Sequence, residues 1–120
     1  IVGVVSRHAT TYADSLAAGR VVEAPVSTQI ADGIAVRRAD AAALAAMTGR
    51  LDHVVQVSDD EVAGAMRALY ADTHNAAEGA GAAALAAALQ GRSNLRGQCV
   101  GIALTGANVD ASVFAEVLGR

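Results

Sequence analysis

Thr105-Gly106-Ala107-Asn108 and Glu78-Gly79-Ala80-Gly81-Ala82 are the stretches of this 120-residue chain whose residue types and spacing best suit ligand chemistry. In the first, Gly106 permits close backbone approach, and Thr105 and Asn108 offer hydrogen-bonding groups. It follows an apolar run and precedes a helical pattern, which is where open α/β sheets bind ligands. An ordinary βα turn with a polar cap explains the same residues without a ligand. In the second, Gly79 and Gly81 open a helix and can present backbone amides to an anion. They imitate half of a dinucleotide fingerprint, but a helix rather than a strand precedes them. Close packing of an alanine-rich helix is the plainer reading. Glu78 sets a carboxylate beside that pair.

Other reactive side chains are poorer candidates. His8, His53 and His74 have no cysteine or acidic partner at metal-ligand spacing, so no metal site is expected. Cys99 falls inside an expected buried strand and reads as an inert core residue. Asp59-Asp60-Glu61 reads as a helix cap rather than a cation site. Spacing argues for no Ser-His-Asp arrangement. All nine basic side chains are arginine, and there is no lysine. A reaction that needs a lysine Schiff base therefore cannot run on this chain alone.

These residues need a frame to position them. Ile1 to Val5 is a continuous apolar run and predicts a strand buried on both faces. Ala9 to Ala18 reads as a helix stopped by Gly19. Val21 to Gly33 is irregular and holds the only proline, Pro25. Ile34 to Val36 reads as a short strand or extended piece, and Asp40 caps a helix to Met47. His53 to Val57 predicts a second strand. The capping box Ser58-Asp59-Asp60-Glu61 then starts a helix with Val62, Ala65, Met66, Leu69 and Tyr70 on one face. A helix from Gly79 to about Gln90, a third strand over Gln98 to Leu104, and a last helix from Asp110 to Leu118 complete the chain. Alternating strands and helices predict an α/β fold, a parallel-rich sheet flanked by helices with right-handed crossovers.

Composition narrows the partners. The net charge is −3, the arginines are scattered, and the aromatics are only Tyr12, Tyr70 and Phe114. Nucleic-acid binding, which needs basic tracks and stacking rings, is not expected. The apolar run Ala82 to Leu89 is far short of the roughly 20 residues that cross a bilayer. A single cysteine suits a reduced, cytoplasmic setting. Thirty alanines supply most of the hydrophobic content, so the core should be thin. The first residue is Ile1, already inside a strand pattern, so residues 1–120 are expected to be one partial domain of something longer.

Four segments carry a resemblance. Gln29-Ile30-Ala31-Asp32-Gly33-Ile34-Ala35-Val36, Val55-Gln56-Val57-Ser58-Asp59-Asp60-Glu61, Glu78-Gly79-Ala80-Gly81-Ala82 and Leu104-Thr105-Gly106-Ala107-Asn108-Val109-Asp110 occur in this order. Together they make essentially the whole chain resemble the C-terminal part of the catalytic domain of threonine dehydratases (threonine ammonia-lyases) and the related serine racemases. Those are pyridoxal-phosphate enzymes of the tryptophan-synthase β-like fold, fold type II. The resemblance implies part of that large domain, and an activity that converts L-threonine to 2-oxobutanoate and ammonia, or L-serine to pyruvate.

The same resemblance assigns cofactor-binding roles to Thr105, Gly33, Glu78 and Gly106. Thr105 would bring its hydroxyl to the pyridine nitrogen. A neutral hydroxyl does not protonate that nitrogen, which makes the ring a weaker electron sink and favours β-elimination. Gly33 would lie beside the ring, and Glu78 near cofactor and substrate. Asn108 would shape the turn. Two departures stand out. Ala107 replaces the usual second glycine of the turn. Val5 and Thr11 occupy positions where some members place cation-binding carboxylates, so that metal site should be absent.

No catalytic residue is assigned within this chain, because the family's Schiff-base lysine, phosphate loop and ring-contacting asparagine lie upstream. The full-length parent would bind pyridoxal phosphate, and the 120-residue piece would neither hold it nor turn over. Two alternatives stay open: a non-catalytic α/β module binding a small ligand or partner, and a serine racemase-type sibling. Unpaired sheet edges should promote self-association, and the parent is expected to be a homo-oligomer.

Overall fold

Val2–Ser6 (β1) and His53–Val57 (β2) are short runs dominated by valine, whose branched Cβ suits pleated backbone. In the computed structural model, which describes residues 1–119, they pair in parallel with Val2 opposite His53 and Ser6 opposite Val57. Parallel neighbours require a long crossover. Here it carries α1 (Thr11–Ala18), a single 3-10 turn over Asp32–Ile34, and α2 (Ala41–Met47). After β2 come α3 (Asp59–Thr73), α4 (Gly79–Gln90) and α5 (Ala111–Leu118). The architecture is α/β, a parallel sheet flanked by helices, as the sequence predicts.

Alternation along the strands divides the two faces. Val4 and Val55 pack on one side against Val62, Ala65 and Met66 of α3 and Ala82, Ala83 and Ala86 of α4. Gly3, Val5 and Val54 turn the other way. They line a cavity of about 310 Å³ with Tyr12, Leu16 and Met47 of α1 and α2. The small side chains of α4 let it lie close to α3, and Met66 is the largest fully buried side chain. α5 is fastened by Val117, which is buried, by a bond from Arg67 Nη1 to the Val117 carbonyl at 3.2 Å, and by an edge-on contact of Phe114 with Tyr70.

Local chemistry sets most helix limits. Gly19 adopts φ 64° and ends α1. Asp40 accepts from the Ala43 amide at 2.8 Å and starts α2. At α3 the predicted capping box is complete: Ser58 accepts from the Glu61 amide and the Glu61 carboxylate accepts from the Ser58 amide. The end of α3 is a position the sequence does not announce. His74 takes the left-handed conformation, φ 57°, where glycine is usual.

Four expectations differ from the structure. Gln98 to Leu104 forms no strand, because a ladder needs a neighbour and none of the described residues provides one. Val100, Ile102 and Leu104 are more than two-fifths exposed, at 46%, 46% and 43%, and Cys99 is exposed rather than buried. Ile34 to Val36 is not a strand, since the Ile34 and Ala35 amides bond back to Ala31 and Asp32 and close the 3-10 turn. β1 is only partly covered, with Val2 48% exposed, because one strand flanks it instead of two.

Glu61 also links elements. Its carboxylate accepts from Gln90 Nε2 at 2.9 Å, and Gln90 reaches the Gln56 carbonyl of β2 at 3.1 Å. The Ser58 amide holds the carboxyl below its ordinary value of 4.5; burial opposes this, and Gln90, the Ser58 hydroxyl and Arg7 add to the lowering. A group with a depressed folded value stabilises the fold above its unfolded value and loses that contribution as pH falls through the folded one. Stability should therefore drop on acidification below about 4.5, and Glu61→Gln should flatten that limb in melts recorded against pH. Superimposable pH profiles for the two proteins would contradict the assignment.

Candidate active site

The start of α4 organises the site. Glu78 is the residue before the helix, and its half-buried side chain makes no capping bond. Its backbone amide donates to the Gly106 carbonyl at 3.1 Å, which seats the 105–108 turn on the head of the helix. Gly81 strengthens that seating. A Cβ there would lie 2.5 Å from the Gly106 carbonyl oxygen and 2.9 Å from its nitrogen. Real side chains do not reach such distances, so only glycine allows the two backbones to meet.

A second segment arrives from the opposite side. The Ile30 carbonyl presses on Gly79, where a Cβ would fall 2.6 Å from the Ile30 carbonyl carbon and 3.2 Å from Ala31 Cα. Ala31 is completely buried beneath this contact. The 3-10 turn then brings Gly33 over the helix: a Cβ on it would be 2.9 Å from Ala80 Cβ and 3.4 Å from Glu78 Oε1. A Cβ on Gly106 would be 2.7 Å from Glu78 Cδ. Gly33, Glu78 and Gly106 thus converge. Two side-chain-free pieces of backbone flank one carboxylate.

Thr105 lies next to Gly106 at the open rim, exposed, with no partner for its hydroxyl among the described residues. Gly33 is also exposed, whereas Gly79 and Gly81 are buried. The four residues singled out by the sequence are therefore close together in space. Gly79 and Gly81 serve packing, the plainer of the two readings. His53 and His74 take no part. His53 pairs with Asp52 at 2.8 Å on the surface, and His74 Nδ1 lies 3.2 Å from the Tyr70 carbonyl oxygen. Among the described residues no three His, Cys, Asp or Glu side chains gather as a metal set.

Sequence reasoning misses one tertiary contact, that of Asp59. It was grouped with the α3 cap, yet it accepts from the Thr28 hydroxyl and the Gln29 amide, both at 2.7 Å. No local pattern reveals a contact between residues 31 apart. Chemically, the arrangement offers exposed backbone at Gly33, an unpartnered hydroxyl at Thr105 and a carboxylate at Glu78, groups that can accept or donate hydrogen bonds to a polar ligand.

The chain is similar to several known proteins. The chain is 37% identical over 121 residues to an L-threonine ammonia-lyase of Geobacter sulfurreducens, with 100% of this chain and 30% of the relative covered. It is 28% identical to an L-threonine ammonia-lyase of Thermotoga maritima, again across 100% of this chain and 30% of the relative. Among solved structures, the processed form of threonine deaminase isoform 2 from Solanum lycopersicum superimposes with a TM-score of 0.88 at 28% identity, covering 99% of this chain and 33% of that one. Maize serine racemase gives a TM-score of 0.84 at 27% identity, covering 99% and 37%. The chain thus spans about a third of the length of the relatives it matches. Residues 1–106 match the family model described as pyridoxal-phosphate dependent enzyme, and the chain belongs to that family.

Proposed function

We propose that residues 1–120 are the C-terminal portion of the catalytic domain of a pyridoxal-phosphate-dependent dehydratase that acts on L-threonine or L-serine. The convergence of Gly33, Glu78 and Gly106 on the head of α4 is the observation that carries this reading. The names of the relatives point the same way. The chain's residues fit the ring side of the cofactor, since Thr105 leaves an unpartnered hydroxyl at the rim and the missing side chains of Gly33 and Gly106 give the Glu78 carboxylate its place beside it. They do not supply the lysine, because the chain contains none.

When bound, the cofactor supplies the electron sink for bond cleavage at the amino acid's α-carbon. Thr105 offers a neutral hydroxyl to the ring nitrogen, and its exposed position at the rim leaves that hydroxyl available. Gly33 and Gly106, having no side chains, leave room for the Glu78 carboxylate between them. Glu78 holds a carboxylate where it can accept a hydrogen bond from cofactor or substrate. The partner is a small amino acid, and the parent is a homo-oligomer working in the cytoplasm. The free, exposed Cys99 suits a reducing compartment, and the bare Val100, Ile102 and Leu104 suit burial against further protein.

The full-length enzyme should show a cofactor absorption band and release 2-oxobutanoate from L-threonine, while the isolated 120-residue chain should do neither. Serine racemisation without release of an oxo acid would replace the dehydratase reading with the racemase one, which the maize structure keeps as the second choice. A full-length protein without cofactor absorbance would overturn both.

A further inference from the structure

Gly33 lies at the end of a long irregular segment. From Val21 to Ala31 the backbone belongs to no strand or helix, apart from one isolated bridge between Glu23 and Arg38. A wall of a binding site must nonetheless be held within a fraction of an ångström. The Ser27 amide donates to the His8 carbonyl at 2.8 Å and Ile30 and Ile34 pack on the core, and next to these anchors stand side-chain bonds to α3. Asp59 Oδ1 accepts from the Thr28 hydroxyl at 2.7 Å, and Oδ2 accepts from the Gln29 amide at 2.7 Å. Thr28 Oγ1 then accepts from the Ala31 amide at 3.2 Å. Ala31 is fully buried, and its carbonyl receives the Ile34 amide that closes the turn around Gly33.

Asp59 is not needed as a helix cap. Ser58 and Glu61 already form the complete box at the start of α3. Both Asp59 oxygens are instead committed to the 28–29 backbone and hydroxyl. Bonds to a charged carboxylate are shorter and stronger than neutral ones. The chain of contacts runs from Asp59 through Thr28 and Ala31 to the turn that carries Gly33, and the neighbouring Ile30 is pressed on Gly79 by the same clamp.

We propose that Asp59 is a positioning residue of the cofactor site: by clamping Thr28 and Gln29 it fixes the Ile30-to-Gly33 wall against the head of α4. The proposal rests on reading Gly33 as a wall of the pyridoxal-phosphate site. It places one determinant of cofactor affinity on α3, at a residue that has no contact with the ring.

The test uses the full-length enzyme that contains this chain. Asp59→Ala should weaken pyridoxal-phosphate uptake about tenfold, read from cofactor fluorescence titration of the apoenzyme. It should also speed hydrogen exchange at the amides of Gln29, Ala31 and Ile34, with the amides in the middle of α3 unchanged. Asp59→Asn, whose single acceptor oxygen can serve only one of the two donors, should fall between. Should Asp59→Ala unfold, Thr28→Val decides, because it cuts both bonds of the relay and leaves the α3 cap intact. The same local exchange and affinity changes in Thr28→Val support the clamp. Unchanged affinity and unchanged exchange over 29–34 overturn it. A wild-type apoenzyme that takes up no cofactor overturns the reading of the site itself, whereas equal uptake by wild type and variants overturns only the role of Asp59.

Discussion

Gly79→Ala should destabilise the protein by about 3 kcal/mol, at the upper end for a single added methyl in a packed place. The sign is the opposite of what helix propensity predicts. Alanine is favoured over glycine inside a helix by about 1 kcal/mol, and α4 is otherwise almost wholly alanine and leucine. The new methyl, however, would lie 2.6 Å from the Ile30 carbonyl carbon and even nearer to its oxygen. These are backbone atoms with no side-chain rotamer to move. Relief requires the 30–33 segment to lift from the helix, and that exposes Ala31, now completely buried. Thermal or urea unfolding should show the loss. A variant as stable as the wild type would mean that the two segments are not in the contact described.

Gly106→Ala should act differently, with a small effect on stability and a large one on activity. The atoms it meets are the Glu78 carboxylate and its Cδ, the latter at 2.7 Å, at the end of a flexible side chain that can rotate away. The cost in stability is then modest. The cost to catalysis is not, because the carboxylate is driven from the place between Gly33 and Gly106. Displacing a group at a reacting centre by about 1 Å can cost about 100-fold, and a fall of that size in kcat/KM is expected in the full-length enzyme. Steady-state kinetics with L-threonine measure it. Normal kcat/KM in a folded Gly106→Ala enzyme would remove Glu78 from the site. A matched Glu78→Gln variant should resemble Gly106→Ala in activity, since both deprive the site of the same carboxylate.

These two variants also mark what was legible in the sequence. The residues themselves were visible: Glu78 with its glycine pair, and the Thr105 turn. Their meeting in space was not, because the bond from Glu78 to Gly106 and the contact of Gly79 with Ile30 depend on tertiary packing. The start of α3 was legible in full, since Ser58 and Glu61 satisfy each other within one turn. Its end was not, because His74 takes a left-handed conformation that histidine seldom adopts. The apolar run from Gln98 to Leu104 reads as a strand but forms none, because a strand is a relation between two segments, and the run carries no information about its partner. Asp59 was misassigned for a related reason. An acidic residue in the first turn of a helix already has an adequate local explanation, and nothing nearby signals that its oxygens are used elsewhere.

The parallel pairing of β1 with β2 bears on how the chain acquires its structure during synthesis. A ribosome releases β1 well before β2, and the entire crossover must emerge before Val2 can find His53. Until then the β1 edge that β2 will occupy is unpaired, and strand edges of that kind can pair with other nascent chains. α3 and α4 have the opposite character. Only residues 74–78 separate them, so their mutual face can close as soon as both leave the exit tunnel. The helical pair is then a surface on which the strand pair can settle, and β1, although made before α3 and α4, need not be secured before them.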